Sequence, residues 1–467
     1  MLREKPTICH LMDDIAIDNT QYDPKLEELK RRIFELVSKQ THWGEEKPAR
    51  WLPLEQAMMT LKASGTKVVP VSLIEEINKS GSVRIENRSE LELFLRFHHE
   101  MGTILYFSVE GLRETIVLDP QWMIDALKSL TTAENYVKKN PAITSKWYEF
   151  KERGKLTLEL IDAIWTKENN PELHNYKKHI LLLMEQMNII ARPRFYTEEG
   201  EEPKEQNYFL APCMLQLKTP EEVICPKPND QIESSSVLSY VFVDKFLPSP
   251  IFHRLLAACV AHWPVAIKKK EEMQENMIFC GCCVFQLDQY HKLILHFREY
   301  VIFLRVSRMG IREKTPSSKL CIEVREFITT NLQKIIGYLG QSLKFEHFIQ
   351  CPEYSGVSIN SFIPVSLLQE NAEVRCDFHD NIIESCRLLK FWFKDQELSG
   401  DACKSKDLER TQVKGNFTLF LTWLAMHKIF DKSDILLYFK NLIWLYLGKV
   451  SGKKEKCLCY SLYYDIF

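Results

Sequence analysis

Residues 114–130 read ETIVLDPQWMIDALKSL, and this stretch decides the predicted fold of the first part of the chain. An apolar run of strand character leads directly into Asp119 and Pro120, which suit the cap and the first position of a helix. Four apolar residues then return at helical spacing, namely Met123, Ala126, Leu127 and Leu130. The stretch therefore predicts a sharp corner between a strand and an amphipathic helix.

Short helices are predicted before this corner. Residues 50–65 place Leu54, Met58 and Leu61 on one helical face and stop at Gly65. Residues 72–81 and 89–102 each begin with a Ser-x-x-Glu capping box and end on glycine. Residues 103–120 contain two β-rich runs around a glycine turn and predict a hairpin.

Beyond the corner, the order of elements changes twice. Residues 147–215 contain two helical segments and then two extended runs around a polar loop, which predicts a winged helix. Residues 220–236 are rich in Pro, Asn and Ser and predict a linker. Residues 237–350 alternate β-rich runs with two helices, which favours an α+β domain with an antiparallel sheet. No packing is predicted for the tail at 351–467.

The first 44 residues have a pattern of their own. Residues 7–40 predict an extended stretch and a helix, with Asp23 as cap and Pro24 at the first helical position. The helix would carry an apolar stripe of Leu26, Leu29, Ile33, Leu36 and Val37. One strand and one helix cannot bury such a stripe, so we expect residues 1–44 to be the closing edge of a domain whose body lies upstream.

Composition limits the function classes. The 467 residues are 45% hydrophobic and 27% charged, as in globular proteins, and 61 basic against 63 acidic residues give a net charge of -2. No strong positive field is therefore expected to attract nucleic acid. The charged N-terminus lacks the apolar core of a secretory signal, and no run approaches the ~20 apolar residues of a membrane span. With 14 scattered cysteines, we expect a cytoplasmic protein whose thiols are mostly buried.

These elements, in this order, resemble the COR domain of Roco proteins, in which COR follows a Ras-like GTPase called Roc. The resemblance covers roughly residues 45–345 and rests on the following phrases: ARWLPLEQAM (49–58), FHHEMGTILYF (97–107), IVLDPQWMIDAL (116–127), GKLTLELIDAIW (154–165), LLLMEQMNIIARP (181–193) and YVFVDKFLPSPIFHRLLA (240–257). Residues 1–44 resemble the last strand and helix of a Roc domain.

The resemblance implies a regulatory and dimerisation module. Residues 45–215 would contact a Roc-type GTPase, and residues 235–345 would pair with a second copy to form a homodimer. No individual interface residue is transferred by this resemblance.

Enzymatic motifs are missing from the sequence. No G-x-x-x-x-G-K-[ST] phosphate loop is present, since Gly154-Lys155 and Gly448-Lys449 lack the other required residues. The segment NKSG at Asn78 has glycine where guanine recognition needs aspartate. Kinase signatures are absent as well. We therefore expect no enzyme activity and assign no catalytic, cofactor-binding or metal-binding residue; GTP and magnesium would come only with an upstream Roc domain.

Two other functions stay open at this stage. The first is a winged-helix nucleic-acid-binding protein, with Lys177 and Lys178 on its recognition helix. Against it, the wing carries Glu198, Glu199, Glu201, Glu202 and Glu205 where phosphates would approach. The second is a fragment of a GTP-hydrolysing Roco protein whose phosphate loop lies upstream.

Single residues with possible chemistry have simpler structural interpretations. Trp122 is expected in the core rather than as a partner anchor, and Asp119 as a helix cap rather than a catalytic acid. Cys280 and Cys283 have C-x-x-C spacing but are expected on a strand, and Cys376 with His379 forms an isolated pair. The basic run at Ile267 is expected to be a solvated loop.

Overall fold

The structure is a computed structural model, and it combines helices with antiparallel sheets, as the predicted α+β class requires. It describes residues 15–17, 22–39, 46–132, 141–166, 171–196, 202–224, 232–270, 273–309, 315–338, 343–352, 361–376 and 381–394. No helix among these residues is long and apolar enough to cross a membrane.

The predicted corner is confirmed. Strand β2 (Thr115–Val117) runs into helix α5 (Pro120–Thr131), with Pro120 at its first position. The strand pairs antiparallel with β1 (Val68–Pro70), so that Val68 faces Val117. The hairpin predicted at 103–120 is reduced to one bridge, in which Leu105 and Val117 exchange backbone hydrogen bonds of 2.9 and 3.0 Å. The long-range pairing with β1 replaces the local hairpin.

The helices before the corner form where the periodicity predicts them. They are α1 (Lys25–Ser38), α2 (Leu52–Ala63), α3 (Val71–Ser80) and α4 (Arg88–Glu100), with a short 3₁₀ turn (Ala49–Trp51) ahead of α2. The two capping boxes are wrong, because α3 and α4 begin before their serines, after Pro70 and Asn87, and have no side-chain cap. Pro70 ends β1, so the helix starts directly at the end of the strand.

Residues 141–214 hold a further set of short elements. They are α6 (Pro141–Arg153), β3 (Lys155–Thr157), α7 (Leu158–Ile164), α8 (Pro171–Asn175), α9 (Lys177–Gln186), β4 (Arg194–Phe195), β5 (Lys204–Glu205), β6 (Tyr208–Leu210) and a 3₁₀ turn (Pro212–Met214). Strand β3 pairs with β6, and β4 pairs with β5. Helices followed by a hairpin agree with the predicted order, while the winged-helix assignment itself stays a prediction.

An eight-stranded antiparallel sheet dominates the remainder, and we call residues 232–394 the sheet unit. After α10 (Glu221–Ile224) come β7 (Ile232–Ser234), β8 (Leu238–Phe242), α11 (Ser249–His262), β9 (Ile267–Lys270), β10 (Met273–Asn276), β11 (Ile278–Phe279), β12 (Cys282–Gln286), β13 (His291–Arg298), β14 (Val301–Met309), α12 (Ser318–Tyr338), β15 (Phe345–Gln350) and β16 (Phe362–Pro364). The main path of the sheet runs β11-β12-β13-β14-β8-β15-β16, and β7 extends the pairing of β14. The antiparallel sheet and both helices of this region are confirmed.

Two local expectations in the sheet unit are wrong. The basic run at Ile267 is a strand, because β9 pairs with β10 in a hairpin instead of forming a loop. Cys280 lies in the turn between β11 and β12 rather than within a strand. The next residue, Gly281, has φ +80°, a left-handed conformation that permits the tight turn.

Part of the tail packs on the sheet unit. Helix α13 (Val365–Glu370), strands β17 (Glu373–Cys376) and β18 (Asn381–Glu384), and helix α14 (Ser385–Leu389) contribute to its core. Trp392 is fully buried there and donates from its indole nitrogen to the carbonyl of Ser236 at 2.8 Å. Residues 395–467 lie outside the described residues.

Candidate functional site

Strand β2 is shared by two apolar clusters. Ile116 and Leu118 pack with α2, α3 and α4, while Val117 packs with α5, α6 and α7. Successive side chains of a strand point to opposite faces, so a strand whose neighbouring residues Ile116 and Val117 are both buried lies between two cores. The corner is therefore the point where the first part of the fold is held together.

Asp119 stabilises this corner through its side chain, although not as the predicted cap. Its two carboxylate oxygens lie 3.2 Å from Lys62 Nζ and 2.9 Å from Lys67 Nζ, and no side-chain cap bond is made to α5. Burial favours the neutral acid, but the two ammonium groups outweigh it and hold the pKa of Asp119 below its usual value. Both oxygens are occupied by these ion pairs, which leaves the carboxylate a structural role.

Trp122 belongs to the core, as predicted. Its side chain is 4% exposed, and the edge of its ring meets Tyr176 with 5.7 Å between centroids. A buried indole in the second cluster cannot also serve as an exposed anchor for a partner.

A second notable region is the junction between residues 191–219 and the sheet unit. Four side chains from before the sheet unit lie in its apolar core, namely Ala191, Phe195, Leu210 and Leu215. Arg194 adds polar bonds, because its guanidinium donates to the carbonyls of Ala261 and His262 at 2.8 and 2.5 Å. These carbonyls belong to the last turn of α11, where helical carbonyls lack intrahelical partners. Arg194 thus caps a helix of the sheet unit from outside it.

Backbone bonds complete the junction. The amide of Val265 donates to the carbonyl of Arg194 at 3.0 Å, and the amide of Cys280 donates to the carbonyl of Leu217 at 2.8 Å. Thr219 Oγ1 also donates to the carbonyl of Cys280 at 3.3 Å. Apolar packing and these hydrogen bonds join residues 191–219 to the sheet unit.

The junction could not be recognised from the sequence. Arg194 stands between Pro193 and Phe195, and nothing in this local pattern shows that a helix end about 67 residues later needs donors. Only the topology brings the two segments together.

The cysteine chemistry of the described residues is that of a packed core. Cys283 and Cys259 are buried, and burial raises the pKa of both thiols, so neither is a ready thiolate. Cys280 is exposed and Cys376 is buried, while His379 lies outside the described residues. Within the described ranges, no three His, Cys, Asp or Glu side chains are grouped so that they could hold a metal ion.

The residues that partly match a phosphate loop or a guanine motif have structural roles. Gly154 has φ +65°, and a Cβ there would meet the carbonyl oxygen of Ala211 at 2.6 Å, so close backbone approach requires glycine. Lys155 pairs with Glu149 at 3.0 Å. Asn78 bonds both to the amide and to the carbonyl of Ile85, at 2.9 and 2.7 Å, and so closes the loop after α3.

The suggested recognition helix is α9. Lys177, at its start, is paired with Asp162, and Lys178 is exposed. In the described part of the wing, Glu202 and Glu205 are exposed, and the other wing glutamates lie outside the described residues. These exposed carboxylates would repel a phosphate backbone.

Comparison with known proteins gives one domain family. Residues 48–215 match the family described as "C-terminal of Roc, COR-A domain". In Dictyostelium discoideum, the probable serine/threonine-protein kinase pats1 is 26% identical over 164 residues, which cover 34% of this chain and 5% of that protein. The cyclic GMP-binding protein C is 26% identical over 119 residues, or 25% of this chain and 4% of that protein.

The comparisons also include a third relative and one solved structure. The probable serine/threonine-protein kinase roco11 of the same organism is 40% identical over 52 residues, covering 11% of this chain and 4% of that protein. The chain therefore spans only about a twentieth of the length of these relatives. The structure of Methanosarcina barkeri Roco2 RocCORdC bound to GDP is 20% identical, with a TM-score of 0.27, over 41% of this chain and 52% of that one.

The match covers the strand-to-helix corner and ends at Leu215, within the junction to the sheet unit. Residues 48–215 therefore contain a COR-A domain, of the family described as C-terminal of Roc.

Proposed function

We propose that this chain is a non-catalytic regulatory and dimerisation module of a Roco-like signalling protein, which relays the state of a Ras-like GTPase. The COR-A match at residues 48–215 carries the proposal. The description of that family, "C-terminal of Roc", names a domain that lies C-terminal of Roc, which supports a partner of this type. A cytoplasmic setting fits buried thiols such as those of Cys259 and Cys283.

The proposed contact with the GTPase lies in the first half of the COR domain. Helix α1, which precedes this half, supports an adjoining GTPase domain, because the apolar stripe of this amphipathic helix contains no buried residue. We propose that α1 and the residues before it are the last part of a Roc domain and that the stripe packs within that domain.

The proposed relay runs through the junction at Arg194. A signal from the first half can reach the second only through contacts that differ between two states. The apolar core of the junction and the Arg194 bonds to α11 supply a continuous mechanical connection between the winged-helix region and the proposed dimerising half.

Self-association tests the dimerisation part. Light scattering from ~1 to ~50 μM full chain should show a shift from monomer to dimer, since a Kd near ~1 μM corresponds to only about 8 kcal/mol. A strictly monomeric species over this range contradicts dimerisation.

Nucleotide-dependent binding tests the relay. An isolated Roc GTPase domain, such as that of Roco2, is titrated with the full chain once in its GDP form and once with a non-hydrolysable GTP analogue. We expect affinities that differ about 5-fold or more, the usual range for allosteric coupling. Equal affinities contradict the relay, because a ligand with equal affinity for both states shifts no equilibrium.

Direct nucleotide binding separates this proposal from the GTP-hydrolysing alternative. Fluorescent mant-GDP should show no saturable binding to the chain alone. Binding at micromolar concentration would assign the nucleotide site to this chain and overturn the non-catalytic part of the proposal.

A further inference from the structure

The COR-A part contains a cleft that the proposed function does not use. It has a volume of about 450 Å³ and lies between α3, α4 and residues 106–114. Its floor is apolar, with Val71, Leu91 and Leu95 only 7%, 5% and 1% exposed. Its rim is charged. Specific ligand sites commonly have about this size and combine an apolar wall with few polar groups.

Tyr106 lies in the wall of this cleft with an unused hydroxyl group. The side chain is 8% exposed, and its ring belongs to the core formed by α2, α3 and α4. No hydrogen bond joins its hydroxyl to any residue that the structure describes. Burial and the neighbouring carboxylates of Glu92 and Glu114 raise the pKa of Tyr106, so the hydroxyl lies close to the acidic part of the rim.

Two rim carboxylates also have no ionic partner among the described residues. Glu114 is paired with Arg113 at 3.3 Å, whereas Glu75 on α3 and Glu92 on α4 make no ion pair within the described ranges. Arg88 is the remaining cation of the rim. Two unpaired carboxylates against one guanidinium leave the cleft with an acidic excess.

We propose that this cleft binds an arginine side chain presented by an apolar segment of a partner protein. A guanidinium has five donors and no acceptor, and it suits a site with two carboxylates and a phenol oxygen. The aliphatic part of the arginine would lie along the wall of the cleft while its guanidinium reaches the carboxylates of the rim, as long basic side chains do on protein surfaces.

Other ligand classes fit this site less well. Phosphate and nucleic acid would meet the carboxylates of Glu75 and Glu92, and like charges repel. A purely apolar peptide would bury both carboxylates and the Tyr106 hydroxyl without partners, which is unfavourable. An ammonium group offers only three donors at one point, so a lysine should bind more weakly than an arginine.

The probe is a fluorescein-labelled peptide, acetyl-Ala-Leu-Arg-Leu-Ala, and its binding to the full chain is followed by fluorescence anisotropy. A copy with citrulline in place of arginine has the same shape without the charge. We expect the arginine peptide to bind with a Kd below about 1 mM and at least about 10-fold more tightly than the citrulline copy. The lysine copy should lie between them.

Variants locate the binding in the cleft. The double variant Glu75→Gln/Glu92→Gln should weaken the arginine peptide about 10-fold, because both charged acceptors of the guanidinium are lost, and Tyr106→Phe should weaken it about 3-fold, because one neutral acceptor is lost. The control, Glu76→Gln/Glu100→Gln, removes two exposed carboxylates from the same two helices outside the cleft and should leave affinity unchanged.

Three results would overturn the proposal: no binding at about 1 mM peptide, equal affinity for the arginine and citrulline peptides, or equal loss in the cleft and control variants. Circular dichroism of each variant separates a loss of binding from a loss of fold. The outcome does not depend on the proposed GTPase partner, because no GTPase is present in the assay.

Discussion

Three buried or partly buried histidines should make the sheet unit sensitive to mild acid. His253, His296 and His347 lie in this unit, and burial lowers the pKa of each to about 4. For His296, which is 7% exposed, Arg298 and Arg305 lower the pKa further. An unfolded histidine has a pKa near 6.5 and takes up a proton that the folded state excludes. Stability should therefore be full above about pH 6.5 and decrease as the pH falls toward about 4.

The magnitude follows from these pKa values. At pH 5 the unfolded histidine is almost fully protonated and the folded one is mostly neutral, so lowering the pH from 7 to 5 removes about 2 kcal/mol for each such group. Three such histidines give about 6 kcal/mol, which is comparable to the total stability of a typical domain, about 5–15 kcal/mol. We expect the sheet unit to unfold near pH 5, whereas the COR-A part has only His98 with a pKa lowered to about 4 among its described histidines.

His296→Phe tests this reasoning at one position. The variant keeps an aromatic ring beside Phe303, whose ring centroid is 5.3 Å from that of His296, but removes the titratable group. Urea unfolding followed by circular dichroism at pH 7 and pH 5 should show about 2 kcal/mol less loss of unfolding free energy in the variant than in the wild type. The control is Ile294→Val on the same strand face, which should lose about 0.5–1.5 kcal/mol equally at both pH values. An identical pH dependence of His296→Phe and wild type would refute the assignment of the acid sensitivity to this ring.

Three further substitutions test the corner and the junction. Asp119→Asn removes the negative partner of two half-buried lysines and should lower the unfolding free energy by about 1–3 kcal/mol. The control Asp125→Asn changes an exposed residue and should alter this free energy by less than about 0.5 kcal/mol. Thermal or urea unfolding measures both variants, and equal effects would contradict the structural role of the ion pairs. Arg194→Met retains much of the aliphatic side chain but removes the guanidinium that donates to two carbonyls of α11. Amide hydrogen exchange at residues 259–265 should therefore accelerate. Unchanged exchange there would show that the Arg194 cap does not stabilise the junction. Gly154→Ala should lower the unfolding free energy by several kcal/mol, because the added Cβ would meet a carbonyl oxygen at 2.6 Å. The control Gly337→Ala adds its Cβ into open space on a helix and should raise the unfolding free energy by about 0.5–1 kcal/mol in the same assay.

The local sequence pattern was sufficient to predict the helices and strands, but it was insufficient to predict which of them pack or pair with one another. The corner at Asp119, helices α2, α5 and α9, and the antiparallel sheet follow from the spacing of apolar residues and from proline and glycine, which act within a few residues. The pairing of β2 with β1 rather than with residues 103–108 depends on a core that no short window contains. The same limit explains why the Asp119 side chain was expected to cap a helix but instead pairs with Lys62 of α2 and with Lys67 of the loop before β1.

The candidate sites show this limit more strongly, because each is assembled from distant segments. The cleft needs Glu75 and Glu92 from two helices and Tyr106 from a third segment, and each alone is an ordinary residue in an ordinary pattern. Asn78 shows the same limit, because its side chain closes a loop by bonding Ile85, a role that its failed guanine motif did not indicate.

The junction also sets where the proposed relay could act. The side chains of Phe195, Leu210 and Leu215 lie in one apolar core with α11, and such a core resists gradual deformation because it is close-packed. Strands β4 and β5, in contrast, are only two residues long. The guanidinium of Arg194 binds two exposed carbonyls of α11, and these bonds do not fix the backbone conformation of the segment that joins β4 to β5. A rearrangement that costs little should therefore exchange the bonds of Arg194 while the apolar contacts persist. Under the proposed function, Arg194→Met should leave the affinity for a Roc domain in place but reduce its difference between the GDP and GTP-analogue forms. A loss of affinity equal in both forms would instead show that Arg194 supports the fold of the binding surface and has no part in relaying the nucleotide state.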